Sequence, residues 1–171
     1  MTVPHVAAPP PAPVPAARGG YALERVYTLA QSYTLGEGAV DSLPSGGREV
    51  SFGWDWRPSG PMVFDVIITI GVNPSKEQND MARITLAGTF RATGELPVPF
   101  AEFVRLHGPV ILLPYARETL SQITSRGPFG PFLLAPLNLV GLMQRCNMTE
   151  STGGRMLRDQ PDVARAFGLT L

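Results

Sequence analysis

The side chains able to do acid–base or covalent chemistry are few in this chain, and their spacing supports none. Its two histidines are His5, in a proline-rich N-terminal stretch, and His107, near a helix end. A histidine serves as general base or activates a nucleophile only beside a positioned partner, and the sequence offers neither one a partner. Ser121 and Ser125 fall on a helix and lack the Gly-x-Ser-x-Gly elbow of a hydrolase. Gly127-Pro128-Phe129-Gly130 has neither the spacing nor the lysine of a phosphate-binding loop. No His, Cys or carboxylate cluster has metal-ligand spacing. Cys146 is the single cysteine and reads as a small hydrophobe on a helix. Asn147-Met148-Thr149 matches a glycosylation sequon but follows no secretory signal, so it reads as chance. The expectation is a protein that is not an enzyme and needs no metal or cofactor.

What the sequence does supply is apolar surface. Val50, Phe52, Trp54 and Trp56 alternate with Ser51, Gly53, Asp55 and Arg57, the period-two pattern of a strand with one bulky face. Phe129, Phe132, Leu133 and Leu134 sit among glycines and prolines in a loop, where polar residues are the norm. Taken singly, each of these residues fits a core position slightly better than a binding role. Taken together, an aromatic strand face and an apolar loop favour a hydrophobic groove for extended polypeptide.

The elements that must position this surface can be read along the chain. Residues 1–20 contain Pro4, Pro9, Pro10, Pro11, Pro13 and Pro15 and nothing large to bury, which predicts a disordered tail. Strands are predicted over about 23–35, 48–57, 62–73 and 80–93, the first with Leu23, Tyr27, Leu29, Tyr33 and Leu35 all at odd positions. Ser59-Gly60-Pro61 and Asn73-Pro74-Ser75 are turn signals, and such short connections favour antiparallel pairing. After Gly94 the pattern turns helical, with a short helix over Pro99–Leu106, a main helix after Gly108-Pro109 and a last helix from Asn138 to about Met148. Residues 150–171 are expected to be a partly disordered tail. The fold class is therefore α+β, a four-stranded antiparallel sheet with C-terminal helices packed on one face.

Length and composition agree with one domain, over residues 21–149. The chain has 171 residues, 44% hydrophobic, with 14 acidic and 14 basic side chains. A neutral chain gives no electrostatic reason to bind nucleic acid. No apolar run approaches the roughly 18 residues of a membrane span, and the N-terminus does not read as a secretory signal. With one cysteine, this fits a cytoplasmic location.

One run carries more information than the rest. From Leu112 to Asn138, a helix bears Leu112, Ala116, Leu120 and Ile123 as one stripe and Arg117, Glu118, Ser121, Gln122 and Ser125 on its other side. Arg126-Gly127-Pro128 ends it, with Gly127 predicted as a left-handed cap. This run, with its Pro-Tyr-Ala-Arg-Glu helix, Ser-Arg-Gly end and Leu-Ala-Pro-Leu-Asn loop, resembles the signature of the SecB protein-export chaperones in order and spacing. Arg25-Val26-Tyr27-Thr28 resembles that family's first strand, and Gly88-Thr89-Phe90 the end of its fourth.

The resemblance implies an ATP-independent holdase that binds unfolded or precursor polypeptides in apolar grooves of a homotetramer, a dimer of dimers. The positions it places in the groove are Val50, Phe52 and Trp54 on the strand, with Trp56 continuing the face, Phe129, Phe132 and Leu134 in the loop, and Leu142 and Met143 on the last helix. The helix face of Glu118, Ser121, Gln122 and Ser125 is the implied subunit contact. Members that serve the SecA export motor carry acids on strands one and four, where this chain has Ala30, Thr34 and Arg83. The chaperone core is thus better matched than the motor contact. Two other readings stand beside general export: a dedicated chaperone for the antitoxin of a toxin–antitoxin pair, and a small-ligand-binding or scaffolding oligomer.

Overall fold

The computed structural model describes residues 19–34, 49–73 and 81–136. The last-helix expectation, with Leu142, Met143 and Cys146, lies outside the described residues, as do both tails apart from Gly19 and Gly20.

Four strands, β1 (Gly20–Tyr33), β2 (Glu49–Gly60), β3 (Val63–Asn73) and β4 (Ala82–Thr93), form one antiparallel sheet in the order β1-β4-β3-β2. The predicted α+β class and strand positions hold. β3 is an inner strand, so its alternation is expressed fully: Phe64, Val66, Ile68, Ile70 and Val72 are all fully buried on one face. β2 is an edge strand, which is why it tolerates Pro58 opposite Phe64.

β1 departs from the expected single face. Register shifts fall between Leu23 and Arg25 and between Thr28 and Ala30. Each extra residue reverses which side the following side chains take. Leu23 and Tyr33 therefore pack on the core, whereas Tyr27 lies on the opposite face and reaches Asp65. Leu29 is 43% exposed.

The helical region is also more continuous than predicted. α1 (Phe100–Glu102) runs through a π turn (Phe103–His107) straight into α2 (Gly108–Thr124). Proline at 109 has no N–H to offer the carbonyl four residues back, and the wider π turn, with Gly108 N–H on the Phe103 carbonyl, absorbs the break. Pro114 stays inside α2 at an exposed position.

α2 lies chiefly across β4, with contacts to β1 and β3. Its predicted stripe is confirmed: Leu112, Ala116 and Leu120 are fully buried, with Ile123 packed at the margin. Burial of each leucine contributes about 1.5–3 kcal/mol. Gly88 permits this approach, because a Cβ there would sit 2.5 Å from Leu112 Cδ2. At the sheet's other end Phe64, Phe90, Phe100 and Phe103 form a ring cluster, and Tyr21 stacks on Phe103 at 3.8 Å.

Candidate functional site

The aromatic strand and the apolar loop meet at one end of the sheet. α2 ends at Thr124, and the chain turns twice, Gly127 N–H donating to the Thr124 carbonyl and Gly130 N–H to the Gly127 carbonyl. The left-handed residue is Gly130 (φ 67°), not Gly127 as predicted; Gly127 is needed because the Tyr33 hydroxyl occupies the space its Cβ would fill. Past Pro131 the chain has no regular secondary structure, and Arg117 Nη2 donates to the Ala135 carbonyl at 3.3 Å.

This path builds a groove of about 440 Å³, lined by Val50, Phe129, Pro131, Phe132, Leu133 and Leu134 among others. The structure therefore brings Val50 of β2 together with Phe129, Phe132 and Leu134 of the loop. Phe52 and Trp54 continue the same face of β2, half-buried against the core. Trp56, next along that face, is only 5% exposed and stacks edge-on with Phe100, 4.9 Å between ring centres. Leu134 is likewise nearly closed off at 7%, whereas its neighbour Leu133 is 76% exposed. Leu133 is the residue that sequence reasoning left out of the site. Alternation along this segment carries the signal: Leu134 points in, so Leu133 points out.

On α2, Glu118 and Gln122 are exposed and bonded to each other at 3.1 Å, Ser125 donates to the Gln122 carbonyl, and Ser121 is half-buried. The same side continues upward through Tyr115 (42% exposed) and Ile111 (38%), with Val110 adjacent (43%). Ile111, Tyr115, Glu118 and Gln122 follow i, i+4, i+7, i+11 spacing. Tyr115, Glu118 and Thr119 also border a second hollow of about 420 Å³ against Leu23–Thr28 of β1, the other edge strand.

The sheet face away from the helices is polar. Asp65, 3% exposed, accepts hydrogen bonds from Thr89 Oγ1 at 2.7 Å, Arg57 Nε at 3.0 Å and the Tyr27 hydroxyl at 3.0 Å. Arg25 donates to Thr89 and lies over the Tyr27 ring, and Arg91 pairs with Glu24. Ala30 and Arg83 are exposed on this face, and Thr34 is exposed just past the end of β1. Among the described residues no group of three or more His, Cys, Asp or Glu side chains could hold a metal ion, and no helix is long and apolar enough to cross a membrane.

The profile of a family described as preprotein translocase subunit SecB matches residues 47–150. The protein-export protein SecB of Halorhodospira halophila is 30% identical over 110 residues, a match that covers 61% of this chain and 62% of that protein, less than two thirds of its length. The SecB of Neisseria gonorrhoeae is 30% identical over 141 residues, 78% of this chain and 94% of that protein. Among solved structures, the SecB-like chaperone of Mycobacterium tuberculosis, in complex with a peptide from an antitoxin, shares the fold with a TM-score of 0.53 at 18% identity, over 69% of this chain and 88% of that one. A profile that spans most of the chain, and the Neisseria match over nearly all of that relative, make this chain a member of the SecB family.

Proposed function

We propose that the protein is an ATP-independent holdase, not an enzyme, which keeps polypeptides unfolded by binding extended apolar segments in the groove between β2 and the 129–135 loop. The observation that carries this reading is Leu133, 76% exposed on the rim of a 440 Å³ groove floored by Val50, Phe129 and Phe132. Leu133 does not stand alone: with Val50, Phe129, Pro131 and Phe132 it makes one contiguous apolar lining, and such a patch, not a lone leucine, marks a binding surface. Trp54 and Phe52 extend the contact along β2, Trp56 and Leu134 form its buried base, and Leu142 and Met143, outside the described residues, join the client-binding set through the family resemblance. Each apolar contact contributes roughly 1.5–3 kcal/mol before ordering costs, and several together hold a client without fixing its sequence.

Domain boundaries at 21–149, a cytoplasmic location and a dimer-of-dimers assembly belong to the same proposal. The α2 side from Ile111 to Gln122 and Ser125, next to β1, the edge strand of the described sheet, supports assembly. Clients are unfolded or precursor chains. A dedicated client, such as an antitoxin, is favoured over service to the SecA motor by the open sheet face, where Ala30 and Arg83 offer a basic partner no acid. Purified protein is expected to suppress aggregation of a denatured client at stoichiometric amounts without nucleotide; failure to do so overturns the reading.

A further inference from the structure

We infer that Thr124 is a positioning residue for this groove: its hydroxyl latches the loop bearing Phe129, Phe132 and Leu133 onto the last turn of α2. The inference rests on the holdase reading of the groove.

Thr124 is 1% exposed, unusual for a polar residue at the end of a helix. Its hydroxyl donates to the Leu120 carbonyl at 2.7 Å, the ordinary habit of a helical threonine. What that habit does not explain is the second bond, in which the same oxygen accepts the Phe132 N–H at 2.7 Å. The Thr124 carbonyl also accepts the Gly127 N–H at 2.9 Å. One residue therefore closes both ends of the segment 125–131. Further along, Arg117 of the same helix holds Ala135. With the chain fixed at Phe132 and Ala135, alternation between those points leaves Leu133 no inward path and sends Leu134 into the core. The shape of the groove thus follows from a hydroxyl that never touches the client.

Valine at 124 keeps the shape of threonine but removes the acceptor that the part-buried Phe132 N–H uses. Serine keeps the acceptor. In Thr124→Val, amide exchange at Phe132 is expected to accelerate about tenfold and the Kd for a reduced, carboxymethylated and permanently unfolded polypeptide to rise about tenfold, with cooperative melting retained. Thr124→Ser should restore both. Unchanged Phe132 exchange in Thr124→Val, or faster exchange with unchanged Kd, would overturn the role of Thr124 alone. Failure of the wild-type protein to bind that polypeptide would overturn the holdase reading and this role with it.

Discussion

The Arg57 guanidinium donates from Nε to the Asp65 carboxylate at 3.0 Å, across the β2–β3 pair and on the sheet face opposite the helices. Asp65 is almost wholly buried, and burial alone would raise its pKa. Hydrogen bonds from Thr89, Arg57, Tyr27 and Ser59 outweigh that effect and hold the carboxyl below its ordinary value. The folded state thus favours the ionised form, so the stabilisation is present above the usual carboxylate range near pH 4 and is lost as pH falls below it. Urea unfolding midpoints should be level from pH 7 to 5 and drop below pH 4. Asp65→Asn should lose about 1–3 kcal/mol at pH 7, since the Arg57 left behind is half-exposed and can be solvated, and should show a shallower acid limb.

Gly88 faces Leu112 where α2 crosses β4. A Cβ there would lie 2.5 Å from Leu112 Cδ2 and 3.2 Å from both Leu23 Cδ1 and Phe90 Cε2. Leu112 and Phe90 are fully buried and have no room to withdraw. Gly88→Ala should therefore destabilise the fold by about 1–3 kcal/mol through overpacking. Replacing Leu112 by Ala in the same chain should recover part of that loss, as read by thermal or urea unfolding.

Adjacent leucines give the sharpest separation between fold and function. Leu133→Asp places a charge where the side chain is already 76% exposed and should shift Tm little while weakening client binding by about tenfold or more. Leu134→Asp buries a charge at a site 7% exposed and should unfold the loop or the whole domain. A circular-dichroism melt of the pair, read beside client affinity, checks both expectations.

Much of this architecture was legible in the residues. The alternation in β2, β3 and β4 and the Leu112–Ala116–Leu120 stripe read correctly because each element presents one face to one core. β1 did not, since two register shifts are invisible to a period-two count and moved Tyr27 to the polar face. The π turn escaped for a related reason: Gly108-Pro109 signals a break, while the helix accommodates it by widening. At the candidate site, residue types pointed to an apolar strand face and an apolar loop but not to which leucine opens to water. That choice depends on Thr124 and Arg117, whose bonds to Phe132 and Ala135 are set by tertiary approach.

Trp54 and Trp56 are the only tryptophans; Trp56 is closed off in the core, whereas Trp54 is half-buried at its margin on β2. Trp56→Phe leaves Trp54 as the sole indole, half-buried on the β2 face that the holdase account assigns to clients. Titration of this variant with a permanently unfolded polypeptide measures client contact at that face directly. The account predicts a saturable blue shift of Trp54 emission, abolished by Phe132→Asp in a protein that still melts cooperatively. An unchanged Trp54 spectrum at saturating client would contradict it.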